Sequence, residues 1–182
     1  GIGPERHPHI SAAIADRLRQ HGPGFVDGLL VLPDFNGNRS PLADPLARGR
    51  IEGLTLDASF DSLLRLYYAA AIGIALGTRQ IIAALNRAGY AIDRLHLTGG
   101  HAASPILPRL YADAALCTVI TTPDTDSVLL GTACVAACAA RLYPDLAGAA
   151  RAMRPREVEL TPNPATRAYF DAEYAAFLRM QR

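Results

Sequence analysis

Two short apolar runs, RLHLTGG and TVITTP, flank the helix-patterned stretch SPILPRLYADAAL between Arg94 and Pro123. Runs of that length bounded by Gly and Pro read as strands, and the periodicity between them reads as a helix. The rest of the chain continues the alternation. FVDGLLVLPDF predicts a strand from about Gly28 to Leu32, closed by Pro33, and ISAAIADRLRQ before it repeats Ile10, Ile14 and Leu18 on one helical face. DASFDSLLRLYYAAAIGIALGTRQIIAALNRAG predicts the dominant helix, and DSVLLGTACVAACAARLY a second buried helix. Strand, long loop, long helix, strand, helix, strand, helix is an α/β order.

Local chemistry marks the ends of these elements. Asp57 or Ser59 can cap the long helix, Asp61 favours its first turn, and Gly89 stops it. Ala69, Gly73 and Gly77 form a small-residue stripe that lets another element approach closely. Ser104 reads as N-cap and Pro105 as first residue of the next helix, with Asp126 or Ser127 capping the one after. NGNRSPLADPLARGRIEGL reads as a long ordered loop, of the kind that is functional or packed on a partner surface. Residues 155–165 read as a spacer. A closing amphipathic helix, residues 166–182, docks through Tyr169, Phe170, Tyr174 and Phe177.

Composition narrows the function. Half of the 182 residues are apolar, enough for a filled core, and we expect one domain over residues 1–182. A net charge of +1 supplies no field for nucleic acid or an anionic membrane, so neither is an expected partner. All 18 basic residues are arginine, which excludes lysine chemistry such as a Schiff base or a P-loop. No run approaches the roughly 18 to 20 apolar residues of a spanning helix, and the expected location is the cytoplasm. Cys117, Cys134 and Cys138 make no disulfide framework, and Cys134 and Cys138 read as small apolar residues sharing a helical face. The pair His7 and His9 reads as an exposed loop rather than a metal site. The opening at Gly1 reads as the interior of a longer polypeptide.

The glycine pair Gly99 and Gly100 concentrates the chemistry. Glycine lets backbone approach a ligand without hindrance from a β-carbon, and a following helix start offers unpaired N–H groups and a positive dipole end. Taken alone, the pair is either a nucleotide site or a plain strand-to-helix turn. TGGHAAS does not match the dinucleotide fingerprint.

Read together, three stretches resemble the FGGY carbohydrate kinases: GNRSPLADPLARGRIEGLT (Gly37 to Thr55), the GTR of Gly77 to Arg79, and LTGGHAAS with the helices that follow it. DFNGNRSPLADP and the tail YFDAEYAAFL are similar to the D-ribulokinase branch. The resemblance implies a ribonuclease H-like, actin-like ATPase domain with an incomplete sheet and helices on both faces, the C-terminal half of a two-domain kinase. It implies ATP and Mg²⁺ as cofactors, transfer of the γ-phosphate to a pentulose hydroxyl, and a sugar substrate held through the other domain.

By the same resemblance, Gly99, Gly100, His101 and Ser104 bind the nucleotide, and Asp34, Asn36, Asn38 and Arg39 lie on a loop facing the substrate cleft. His101 replaces a small residue of the family, Ser104 an asparagine, and Ile72 falls near a polar position, while Gly131 allows close passage at an interdomain hinge. The catalytic aspartate of the family has no counterpart here, so no residue is assigned as base and the chain alone is expected to be inactive. A non-catalytic nucleotide-binding or protein-interaction domain of the same descent is the competing reading. An uncovered sheet edge predicts self-association, as a homodimer.

Overall fold

The computed structural model describes residues 6–181, with side chains from residue 8 onward. Its centre is the long helix α2 (Phe60–Arg87). Ser59 caps it, its hydroxyl accepting from the Ser62 N–H, and Asp57 in turn accepts from the Ser59 N–H at 2.9 Å and the Ser59 hydroxyl at 2.9 Å. At the other end Gly89 turns the chain with φ of +100°, a conformation that costs glycine little. By length and composition α2 is apolar enough to cross a membrane, which corrects the expectation that no run is. Half of that apolar window is buried inside the fold, however, so α2 acts as a core helix.

Around it lie α1 (Arg6–His21), β1 (Leu30–Leu32), α3 (Leu107–Ala115) and α6 (Arg167–Met180). Their buried side chains, Ile14, Val31, Leu64, Leu110, Phe170 and Phe177 among them, form one hydrophobic cluster. The small-residue stripe has the role expected of it. A β-carbon on Gly73 would lie 2.2 Å from the Val31 carbonyl oxygen, and one on Gly77 would rest 3.9 Å from the Phe177 ring. Ile72 is buried in the core, so that turn of α2 offers no polar contact.

The strands form two small sheets. In the first, β1 pairs antiparallel with β2 (Arg50–Glu52), Val31 opposite Ile51, so the loop expected over residues 36–54 contains a strand. In the second, β3 (Arg94–His96) and β4 (Thr118–Thr121) run parallel with α3 as their crossover, and β5 (Val158–Leu160) adds antiparallel to β4. Segment 155–165 therefore does more than space two helices, because it supplies a strand. Val119, Ile120 and Thr121 are all buried, and since successive residues face opposite ways, both faces of β4 are covered.

Two expectations are corrected. The helix α4 (Ser127–Ala139) is not buried: Cys134 is its one buried residue, while Val128, Leu129 and Val135 are 74%, 68% and 57% exposed. Its composition is apolar on every side, yet it packs chiefly on α5 (Leu146–Ala152), and a single face suffices for that contact. The start of α3 also differs. The helix begins at Leu107, and Ser104 lies three residues before it, its hydroxyl accepting from the Ile106 and Leu107 N–H groups at 3.4 and 3.3 Å. Pro108 takes the place in the first turn expected of Pro105.

Among the described residues no group of three metal-ligating side chains occurs. Cys134 is buried and Cys138 partly so, both free thiols. The loop expected at His7 and His9 is instead the first turn of α1, where His9 is exposed and stacks on Phe60 at 5.6 Å; the side chain of His7 lies outside the described residues.

Candidate functional site

Parallel pairing of β3 with β4 brings the carboxyl ends of both strands to one edge of the sheet, the place where ligands bind in open α/β sheets. The Leu97 N–H donates to the Ile120 carbonyl at 2.9 Å, extending the pairing to the threshold of the glycine pair. Thr98 is extended, Gly99 enters with φ of +70°, and Gly99–His101 closes as a 3-10 turn. Only glycine takes that φ without strain. The turn is held by the Gly99 carbonyl, which accepts from the Ala102 and Ala103 N–H groups at 3.0 and 3.3 Å.

The backbone of the pair is bare. A β-carbon on either Gly99 or Gly100 would meet no atom within 4 Å, so the surface from which a side chain would project is open. Clefts lie on both sides of it. One, of 490 Å³, runs between Thr98, Gly99 and Gly100 and the opposite wall, Thr122 to Val128, at the start of α4. In that wall the Asp126 carboxylate caps α4, accepting from the Val128 and Leu129 N–H groups, and the Thr122 and Ser127 hydroxyls meet at 3.2 Å. The other cleft, of 560 Å³, separates Gly100, Ala103 and Ser104 from the α1 face of Ser11, Ala12 and Ala15. Ser11 is 2% exposed, and among the described residues its hydroxyl has no hydrogen-bond partner.

Gly99, Gly100 and Ser104 are thus brought together at one place. His101 lines neither cleft: its Nδ1 lies 3.0 Å from the Tyr111 hydroxyl on α3, with the rings 5.8 Å apart. Burial holds the Tyr111 phenol above its ordinary pKa, so it keeps its proton. The sequence showed no sign of the opposite wall. Only parallel pairing puts Thr122–Ser127 across from Gly100, although the Asp126 cap already marked a helix start there. Ser11, in the middle of α1, carried no signal.

The second expected group lies elsewhere. Neither cleft is lined by Asp34, Asn36, Asn38 or Arg39. The Asn38 amide donates to both Asp34 carboxylate oxygens at 3.1 Å, its own oxygen accepts from the Leu42 N–H, and its backbone pairs with Asp44 in both directions. Asp34 and Asn38 are buried, while Asn36 and Arg39 are exposed on the turn between them and Asp44. The two buried side chains hold the loop's shape.

Comparison with known proteins identifies the family and the fold. Residues 11–140 match the sequence profile of the FGGY family of carbohydrate kinases, C-terminal domain. The chain is 38% identical over 167 residues to an FGGY carbohydrate kinase domain-containing protein of Xenopus laevis, covering 91% of this chain and 30% of that protein. It is 35% identical over 112 residues to a D-ribulokinase of Saccharomyces cerevisiae, covering 61% of this chain and 16% of the relative. The fold superposes on xylulose kinase from Rhodospirillum rubrum with a TM-score of 0.73 at 27% identity, over 98% of this chain and 34% of that one. With 130 of its residues inside the profile, the chain belongs to the FGGY carbohydrate kinases, as their C-terminal domain.

Proposed function

We propose that this chain is the nucleotide-binding half of a kinase that transfers the γ-phosphate of ATP to a hydroxyl of a pentulose, D-ribulose. One observation carries the reading: the bare backbone of Gly99 and Gly100 between two clefts. The base enters the mostly apolar cleft beside α1, against the face that carries Ala12 and Ala15. Ribose and phosphates then pass over the glycine pair, which no β-carbon obstructs. Ser104 is confined to the wall of the base cleft, its hydroxyl already engaged by the start of α3.

The D-ribulose assignment is supported by the yeast D-ribulokinase relative. Magnesium would supply charge neutralisation on the phosphates, and no residue of this chain is assigned to hold it. The sugar and the catalytic base belong to the rest of the protein, and the chain alone does not phosphorylate D-ribulose. β3 is paired on one side only, and its other edge is where the chain meets further strands or a second copy of itself. The working location is the cytoplasm.

Hydrogen exchange with and without MgADP tests the placement. Protection is expected in residues 98–104, in 122–128 and on the 11–15 face of α1. Protection confined to other segments, or none at millimolar MgADP, would overturn the reading.

A further inference from the structure

The 3-10 turn Gly99–His101 contains two glycines, so the imidazole of His101 is the only side chain with which the turn can be anchored. That imidazole is turned away from both clefts and lies 3.0 Å from the hydroxyl of Tyr111, a residue 6% exposed in the middle of α3. The glycines have no side chain of their own, and among the described residues the Gly99 carbonyl is held only by the Ala102 and Ala103 N–H groups of the same loop. A ligand lying on backbone gains affinity only if that backbone is held in place beforehand.

We propose that His101 and Tyr111 are positioning residues for the nucleotide: their hydrogen bond fastens the glycine turn to the rigid body of α3. The inference rests on the nucleotide reading above and concerns residues that do not touch the ligand. Tyr111 suits the task because α3 is packed against α2 and α6, and because burial keeps its phenol protonated. A phenol can donate to a bare imidazole nitrogen or accept from a protonated one, so the bond survives a change in the state of His101. The neighbouring residue Thr98 makes no side-chain capping bond to the turn, so His101 supplies its side-chain tie to α3.

Tyr111→Phe removes one oxygen and keeps the buried ring. In this chain it should weaken ADP binding about fivefold, the worth of a single hydrogen bond, with little change in melting temperature. His101→Ala should give the same loss, and the double variant no more than either alone. His101→Asn places an oxygen where Nδ1 lies and should restore most of the affinity, though not in the Y111F background. The imidazole ¹⁵N resonances of His101, read without nucleotide, should move in Y111F. Resonances that stay put, or losses that simply add in the double variant, would overturn the latch. Resonances that move in a chain that binds no ADP would sink the nucleotide reading and leave the contact standing.

Discussion

A β-carbon on Gly73 would lie 2.2 Å from the carbonyl oxygen of Val31, so β1 crosses α2 at a point where the helix has no side chain. The contact is backbone to backbone and has no flexible atom to yield. Gly73→Ala should therefore destabilise the fold by about 2 kcal/mol or more. Gly77→Ala, whose new methyl would rest 3.9 Å from Phe177, should be neutral or gain up to about 1 kcal/mol of helix propensity. Urea denaturation of the two variants checks the contrast.

Arg79 ties α6 to α2 by three contacts: Nη2 donates to the Asp171 carboxylate at 2.6 Å, Nη1 to the Phe170 carbonyl at 3.2 Å, and the guanidinium lies 4.3 Å from the centre of the Tyr174 ring. A planar fork is required to do all three. Arg79→Ala should cost about 1–2 kcal/mol, and Arg79→Lys should recover little of it. Chemical denaturation gives the magnitude, and faster amide exchange in residues 167–180 would locate it.

Two carboxylates should make stability respond to acid in opposite senses. Asp171 is held below its ordinary pKa, first by the Arg79 hydrogen bond, so its contribution is present above about pH 4 and is lost as pH falls through the folded value. Glu173 is raised, first by burial and then by Asp27, so its ionised form works against the fold. What it contributes is present when it is protonated and lost as pH rises through its folded value. Glu173→Gln should raise the melting temperature at pH 7 and lose that advantage below about pH 4. Melting curves across that range separate the two.

Asp34 takes both donor bonds of the buried Asn38 amide. Asp34→Ala leaves the Asn38 NH₂ group without its carboxylate partner and should cost about 1–3 kcal/mol, read by denaturation, while nucleotide affinity stays unchanged. An equal loss of ADP binding would mean that the loop belongs to the nucleotide site after all.

Features set by a residue and its near neighbours were legible in the sequence. The Ser59 cap, the Gly89 stop, the Asp126 cap and the burial of Phe170 and Phe177 all stand as expected. What depended on distant partners was not. Arg50–Glu52 is a strand because β1 lies beside it, and Val158–Leu160 because β4 does. Ser104 looked like the residue before the helix, but Pro105 and Ile106 intervene before α3 starts at Leu107. The apolar sequence of α4 announced burial that the described residues do not provide. At the site, Gly99 and Gly100 could be named from their own chemistry, whereas Thr122–Ser127 and Ser11 required the tertiary fold to meet them.

The central claim is that a nucleotide lies on the backbone of the glycine pair. Calorimetric titration of the chain with MgADP, beside a Gly100→Val variant, tests it most directly, because a β-carbon at Gly100 would meet no atom within 4 Å and the variant should keep its fold. The account predicts binding by the chain, with loss of binding and an unchanged melting temperature in the variant. Equal binding by both proteins would contradict it.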